Sequence, residues 1–145
     1  GPIGIELSSR RGRTPRYTIG EQLHLLVRTN RATALYCFYL QANRQLTKIF
    51  PNPHHTDAFL KTGVHEIPGA LFPFNFVISA PPGIELIKCF AANRDVTAAL
   101  PAHLQRNTLA PLPAGTEWEL ASVFRGLRHI GLSEVRLVVT VEPAK

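Results

Sequence analysis

Two cysteines, one tryptophan and a low charge content mark what this chain does without. Cys37 and Cys89 stand too far apart for a Cys-x-x-Cys redox or zinc pattern, so reactive-thiol chemistry is disfavoured. No apolar run approaches the ~20 residues that cross a bilayer as a helix, and no signal-peptide pattern is present. Gly-x-Ser-x-Gly, the turn that lifts a nucleophilic serine above a sheet, is missing, as are the glycine-rich loops that cradle phosphates. No residue set reads as catalytic and none requires a cofactor, so the expectation is a protein that is not an enzyme.

What is present reads as one folded domain. A chain of 145 residues buries a core without needing staples or metals, and 45% hydrophobic against 18% charged residues argues against disorder. The leading Gly1-Pro2 resembles the scar left by tag removal, so the chain is expected to be a piece of a longer protein. A net charge of +6 raises the question of nucleic acid, but Arg10, Arg11, Arg13 and Arg16 crowd into a short stretch and the remaining basic residues are scattered among acids. With no aromatic stacking platform, helix-turn-helix or zinc-finger spacing beside them, residues 1–16 read as a basic, solvated N-terminal arm that includes a short strand from Ile3 to Ser8. The single domain then runs over 17–145. Nucleic acid is not expected as a partner.

Strand patterning dominates the rest. Leu23, Leu25 and Val27 alternate with Gln22, His24, Leu26 and Arg28, a half-buried strand. Ala34 to Leu40 is apolar on both faces, which places it at the centre of a sheet or under cover on both sides. A turn at Ala42-Asn43-Arg44-Gln45 leads to a returning strand ending at Phe50, and of these turn residues only Asn43 tolerates a positive φ comfortably. Further strands are expected at Gly63–Pro68, at Phe72–Ser79 with Phe72, Phe74, Phe76 and Ile78 on one face, at Glu85–Ala91 and at Glu134–Glu142. One helix, about 116–130, is signalled by Thr116-Glu117-Trp118-Glu119 as a capping box, an apolar stripe of Leu120, Val123, Phe124 and Leu127, and Gly131 as its stop. Trp118 is expected to pack. A helical turn within Val96–Gln105 is limited by Pro101. The fold class is therefore mainly β: an immunoglobulin-like antiparallel sandwich with one amphipathic helix packed on it. Cys37 and Cys89, each within a strand, either pair as a disulfide in an exported domain or stay as buried thiols in a reducing compartment.

The order Tyr17-Thr18-Ile19-Gly20-Glu21, an apolar strand, Ile49-Phe50-Pro51-Asn52 and then Ala80-Pro81-Pro82-Gly83-Ile84-Glu85 resembles the bacterial domain of unknown function 4384, over about Tyr17 to Glu142. The resemblance implies an accessory, non-catalytic module of multidomain envelope or secreted proteins, hence a periplasmic or envelope location. The family usually has an Asp-Gly or similar turn where this chain has Asn43-Arg44-Gln45. It carries no recognised catalytic residues to transfer.

Function then falls to surfaces. His54, His55 and Asp57, with His65 and Glu66 beyond, are the nearest approach to a metal set, yet adjacent loop histidines diverge and the helical i, i+4 spacing is missing, so a solvated polar loop is the better reading. Gly20-Glu21 and Phe50-Pro51-Asn52 read as strand punctuation, with the Asn52 side chain serving loop backbone groups. The proline-rich loop, through Pro53, His54, His55, Asp57 and Phe59, is the favoured binding surface, ahead of an exposed sheet edge. The expected role is a protein-interaction module of a cell-envelope or secretion-associated assembly, its partner another protein, without membrane insertion. The alternative is a sensory domain that recognises a peptide or glycan and regulates an attached kinase or peptidase.

Overall fold

The computed structural model describes residues 2–70, 72, 73 and 75–145. In chain order the strands are β1 (Ile5–Ser9), β2 (Arg16–Thr18), β3 (Gln22–Leu23), β4 (Leu25–Thr29), β5 (Thr33–Leu40), β6 (Leu46–Phe50), β7 (Phe59–Leu60), β8 (Gly63–Ile67), β9 (Phe76–Val77), β10 (Gly83–Ala92) and β11 (Leu132–Glu142). They form a small sheet ordered β1-β4-β8 and a large one ordered β2-β11-β10-β5-β6, with β7 on the first residues of β5. β3 and β9 make a short separate ribbon. All pairings are antiparallel except β2 with β11.

Strand alternation assigns the layers. Odd-numbered residues of β5, β10 and β11, among them Leu35, Cys37, Ile87, Cys89, Leu137 and Val139, face the small sheet and meet Leu7, Leu25, Val27 and Ile67 in the sandwich core. Even-numbered Ala34, Tyr36, Phe38, Phe90 and Ala92 face the other way, against Leu100, Leu104, Leu120 and Phe124. These last residues belong to a helical layer made of a 3₁₀ turn (Thr97–Ala99) capped by Leu100, α1 (Ala102–Gln105) and α2 (Thr116–Arg125). The large sheet is thus covered on both faces, which is why β5 reads as a continuous apolar run.

Cys37 and Cys89 are disulfide-bonded. They lie directly opposite each other in the β5–β10 ladder, Cα atoms 4.1 Å apart, and both are fully buried. Of the two fates left open by the sequence, the structure has the bond.

Several local expectations are corrected. The capping box does not form: Gly115 precedes α2 at φ 92°, the Thr116 hydroxyl donates to Pro113 O (2.6 Å), and Glu119 faces His103 of α1. The helix ends at Arg125 and not near 130, because Gly126 takes over as its cap. Trp118 is 77% exposed, with the Arg44 guanidinium over its ring, so it is not a packing residue. In the β5–β6 turn the positive φ falls on Arg44 (71°), while Asn43 contributes its side chain, accepting from Gln45 N (2.9 Å). The expected strand 72–79 shrinks to β9, and Phe74 lies outside the described residues.

The N-terminal segment is not a detached arm. β1 is a full partner of β4, Ile3 and Leu7 enter the core, and each of the four arginines reaches an acid: Arg10 Glu66, Arg11 Glu21, Arg13 Glu6 and Arg16 Glu142. Glu21 also accepts from Thr18 N (2.5 Å), so it ties the turn at Gly20 to the arginine run. The Arg11 hydrogen bond, with that backbone donor, holds its carboxyl down at about 2.

α2 is pinned to the sheet by charge as well as packing. Arg125 donates to both Glu134 oxygens (2.6 and 2.9 Å), and Lys88 lies 2.9 Å from Oε1. Arg125 first, and Lys88 after it, holds the Glu134 carboxyl at about 2 against the partial burial that pushes it up. A folded value below the unfolded 4.5 stabilises the fold above pH 4.5, and that contribution is lost as pH falls from 4.5 towards 2. Because Arg125 is largely exposed, solvent screening reduces the net value to about 1 kcal/mol. Glu134→Gln is therefore expected to cost about 1 kcal/mol in urea unfolding at pH 7 and nothing at pH 2; an equal cost at both would remove the ion pair as its cause.

Candidate functional site: the proline-rich loop

β6 delivers the chain to Phe50, and Pro51 and Pro53 then deny the ladder its donors, so the backbone must find other partners. Asn52 supplies them. Its side chain is 2% exposed; Oδ1 accepts from His54 N (2.9 Å) and His55 N (3.1 Å), and Nδ2 donates to Ile49 O (3.0 Å). Backbone bonds between Asn52 and His55 run in both directions at 3.0 and 3.1 Å. At the far end Asp57 Oδ1 accepts from Phe59 N (3.0 Å), and Leu35 N donates to O of the buried Ala58 (2.9 Å). A segment that composition marks as loose is fastened at both ends, and the sequence reading of Asn52 holds.

With the backbone fastened, the side chains of Pro53, His54, His55 and Asp57 are left outward. The His55 ring meets Phe50 edge-on at 4.7 Å between centroids, and His54 meets Phe72 at 4.9 Å. Phe50, His54, His55, Ile67, Pro68 and Phe72 surround a cavity of about 160 Å³, with Asn52 and Gly69 at its margin. The loop residues singled out in the sequence do not all gather there. Phe59 lies in β7, paired with Ala34 and 40% exposed, outside the cavity wall, and Pro53 and Asp57 also stand apart from it. Pro68 and Phe72 were not among the candidates; they arrive from the segment after β8, and no local pattern connects them to His54.

The histidine-carboxylate set separates. His65 Nε2 lies 2.7 Å from Lys61 O, and Glu66 is engaged with Arg10 and His24, away from His54, His55 and Asp57. Among the described residues no three His, Cys, Asp or Glu side chains converge as metal ligands.

Two buried polar groups elsewhere serve the fold. Glu85 accepts from the Tyr39 hydroxyl and, through Oε2, from Ala42 N (2.9 Å), which anchors the β5–β6 turn to β10. Burial first, and the neighbouring carboxylate second, pushes the Tyr39 hydroxyl well above its ordinary range. In the helical layer Lys48 donates to Leu104 O (2.8 Å), and Tyr36 bonds Asp95 (2.8 Å) and receives Val96 N (2.9 Å). Burial holds the Lys48 ammonium down at about 8. Each of these groups is bonded to the chain itself; Glu85 ties a turn to the sheet, while Lys48 and Tyr36 join the helical layer to it.

Sandwich, buried cross-strand disulfide and fastened loop define a disulfide-bonded β-sandwich domain with a helical layer on one sheet. The chain belongs to the family described as "Domain of unknown function (DUF4384)", which it matches over residues 16–95, more than half its length. The matched stretch contains both cysteines and the loop but ends at Asp95, short of the resemblance traced to Glu142, so α2 and β11 lie beyond it. No curated protein and no solved structure matches the chain. No helix among the described residues is long and apolar enough to cross a membrane.

Proposed function

We propose that the domain is a non-catalytic protein-interaction module of a bacterial cell-envelope or secretion-associated assembly, and that the loop from Pro53 to Phe59 carries the contact. The observation behind this reading is the division of labour at Asn52: its side chain consumes the backbone donors of the loop while the histidine rings and Phe59 stay partly or wholly outward. A loop held in one conformation loses little entropy when a partner docks, so its exposed side chains convert more of their contact into affinity. The Cys37–Cys89 bond supports an oxidising compartment such as the periplasm.

The test is recovery of a partner from envelope fractions with the tagged domain. The His54→Ala/Phe59→Ala variant is expected to keep the wild-type melting transition and lose the partner. Asn52→Ala is expected to lose the partner and to unfold more easily by about 1–3 kcal/mol, since its backbone donors and Ile49 O are left unmet. Undiminished recovery with the double variant would remove the loop from the interface.

A further inference from the structure

A second surface, independent of the loop, lies where the helical layer stops short of the sheet's end. On the helix-facing side of the large sheet, cross-strand register sets Val138, Leu86, Leu40 and Leu46 in one row across four strands. α2 covers the rows that hold Phe90 and Phe38, but this outer row is only partly covered: Leu86 and Leu40 are half-buried and Val138 is 43% exposed, with Ile84 beyond it at 64%. Beneath the first turns of α2 the row opens into a cavity of about 190 Å³, floored by Phe38, Leu40 and Leu86 of the sheet and closed on the helix side by Leu120. Small-molecule sites generally begin near about 300 Å³, so this volume suits one or two side chains better than a whole cofactor.

The rim is charged, and unevenly. Arg136 lines the cavity directly opposite Lys88 in the ladder and makes no ion pair among the described residues. Lys88 and Arg125 share the single carboxylate of Glu134, and Arg44 stands 3.8 Å from Glu117, whose side chain is 10% exposed. Of the charged residues that line the cavity, Lys88 is met by Glu134 and Glu117 by Arg44, which leaves the Arg136 guanidinium beside the apolar floor. With the Lys88 charge already met by Glu134, the Arg136 guanidinium opposite it is left to take a further carboxylate, which favours an anionic occupant over a neutral one.

We infer that this face binds a partner's peptide segment in which large apolar residues are flanked by aspartate or glutamate, the apolar side chains entering the cavity under α2 and a carboxylate meeting Arg136. Arg136 fits the role because its guanidinium offers paired donors to a carboxylate.

The experiment uses three short peptides, one with Leu-Phe between aspartates, one with lysines replacing the aspartates, and one with serines replacing Leu-Phe. Binding is followed by the fluorescence of Trp118, the chain's one tryptophan, and by amide shifts in two-dimensional NMR. The first peptide is expected to saturate below about 100 µM, at least ~10-fold tighter than the other two, with the largest shifts at Leu86, Leu120 and Arg136. Arg136→Glu is expected to weaken it ~10-fold and Val138→Asp to weaken it further, both with wild-type melting, while His54→Ala/Phe59→Ala leaves it unchanged. Equal binding of the aspartate and lysine peptides, or no saturation by about 1 mM, would overturn the inference. So would self-association that Val138→Asp abolishes, which gives the face to a second copy, or shifts produced there by decanoate and not by the peptide, which gives it to a lipid chain.

Discussion

Replacing Cys37 and Cys89 together by alanine is expected to lower the unfolding free energy by about 4 kcal/mol, the loop-closure value for a link across 52 residues. Against the roughly 5–15 kcal/mol by which domains are stable, that is from about a quarter to most of the whole. The bond joins the two central strands of the large sheet at facing positions, so its loss also leaves two fully buried sites under-filled. Both sulfurs are inaccessible in the folded state, and reduction by dithiothreitol should accordingly track global unfolding. Urea midpoints of wild type and double variant, compared with and without reductant, check this. A difference below about 1 kcal/mol would show that packing alone holds β5 to β10.

Phe124→Ala is expected to cost about 3–5 kcal/mol. Its ring is fully buried, stacked on Phe90 at 4.1 Å and 5°, and meets Phe38 and Tyr36 at 6.0 and 5.5 Å. No other aromatic of α2 reaches this cluster, because Trp118 points to solvent. Trp118→Ala should therefore stay within about 0.5 kcal/mol, although tryptophan is the larger side chain. Thermal and urea unfolding of the two variants separates the cases, and similar costs would mean that the helix is held by its first turn and not by its docked face. Removal of Phe124 should also loosen α2 over the cavity that Leu86 floors, so weaker binding of the aspartate peptide is expected to accompany the loss of stability.

Legibility followed interaction range. The burial of Leu23, Leu25 and Val27 was readable from their twofold alternation, because a strand's own geometry sends neighbouring side chains to opposite faces; that the run breaks at His24 into β3 and β4, paired in different sheets, was not. The Asn52 turn was readable for the same reason: its partners lie within three residues. The capping box misled because Thr116 and Glu119 both had better partners, Pro113 O and His103, the second supplied by a different helix. Gly126 is as good a helix stop as Gly131, and local pattern ranked them wrongly. At the candidate site, His54 and His55 were visible from the start, while Phe72 and Pro68, which complete the cavity, come from another segment.

The sequence by itself determined a mainly β domain with a doubly covered central strand, one docked helix and a loop after Phe50 whose backbone groups Asn52 serves, since each follows from periodicity, turn chemistry or hydrogen-bonding within a few residues. Only the tertiary structure decided that Cys37 faces Cys89, that the N-terminal arginines are matched by Glu6, Glu21, Glu66 and Glu142, and that Arg136, without an ion pair among the described residues, stands beside an apolar row. Those outcomes depend on register between distant strands. A shift of one residue would turn those borne on strands, such as Cys37, Glu66 and Arg136, to the opposite face.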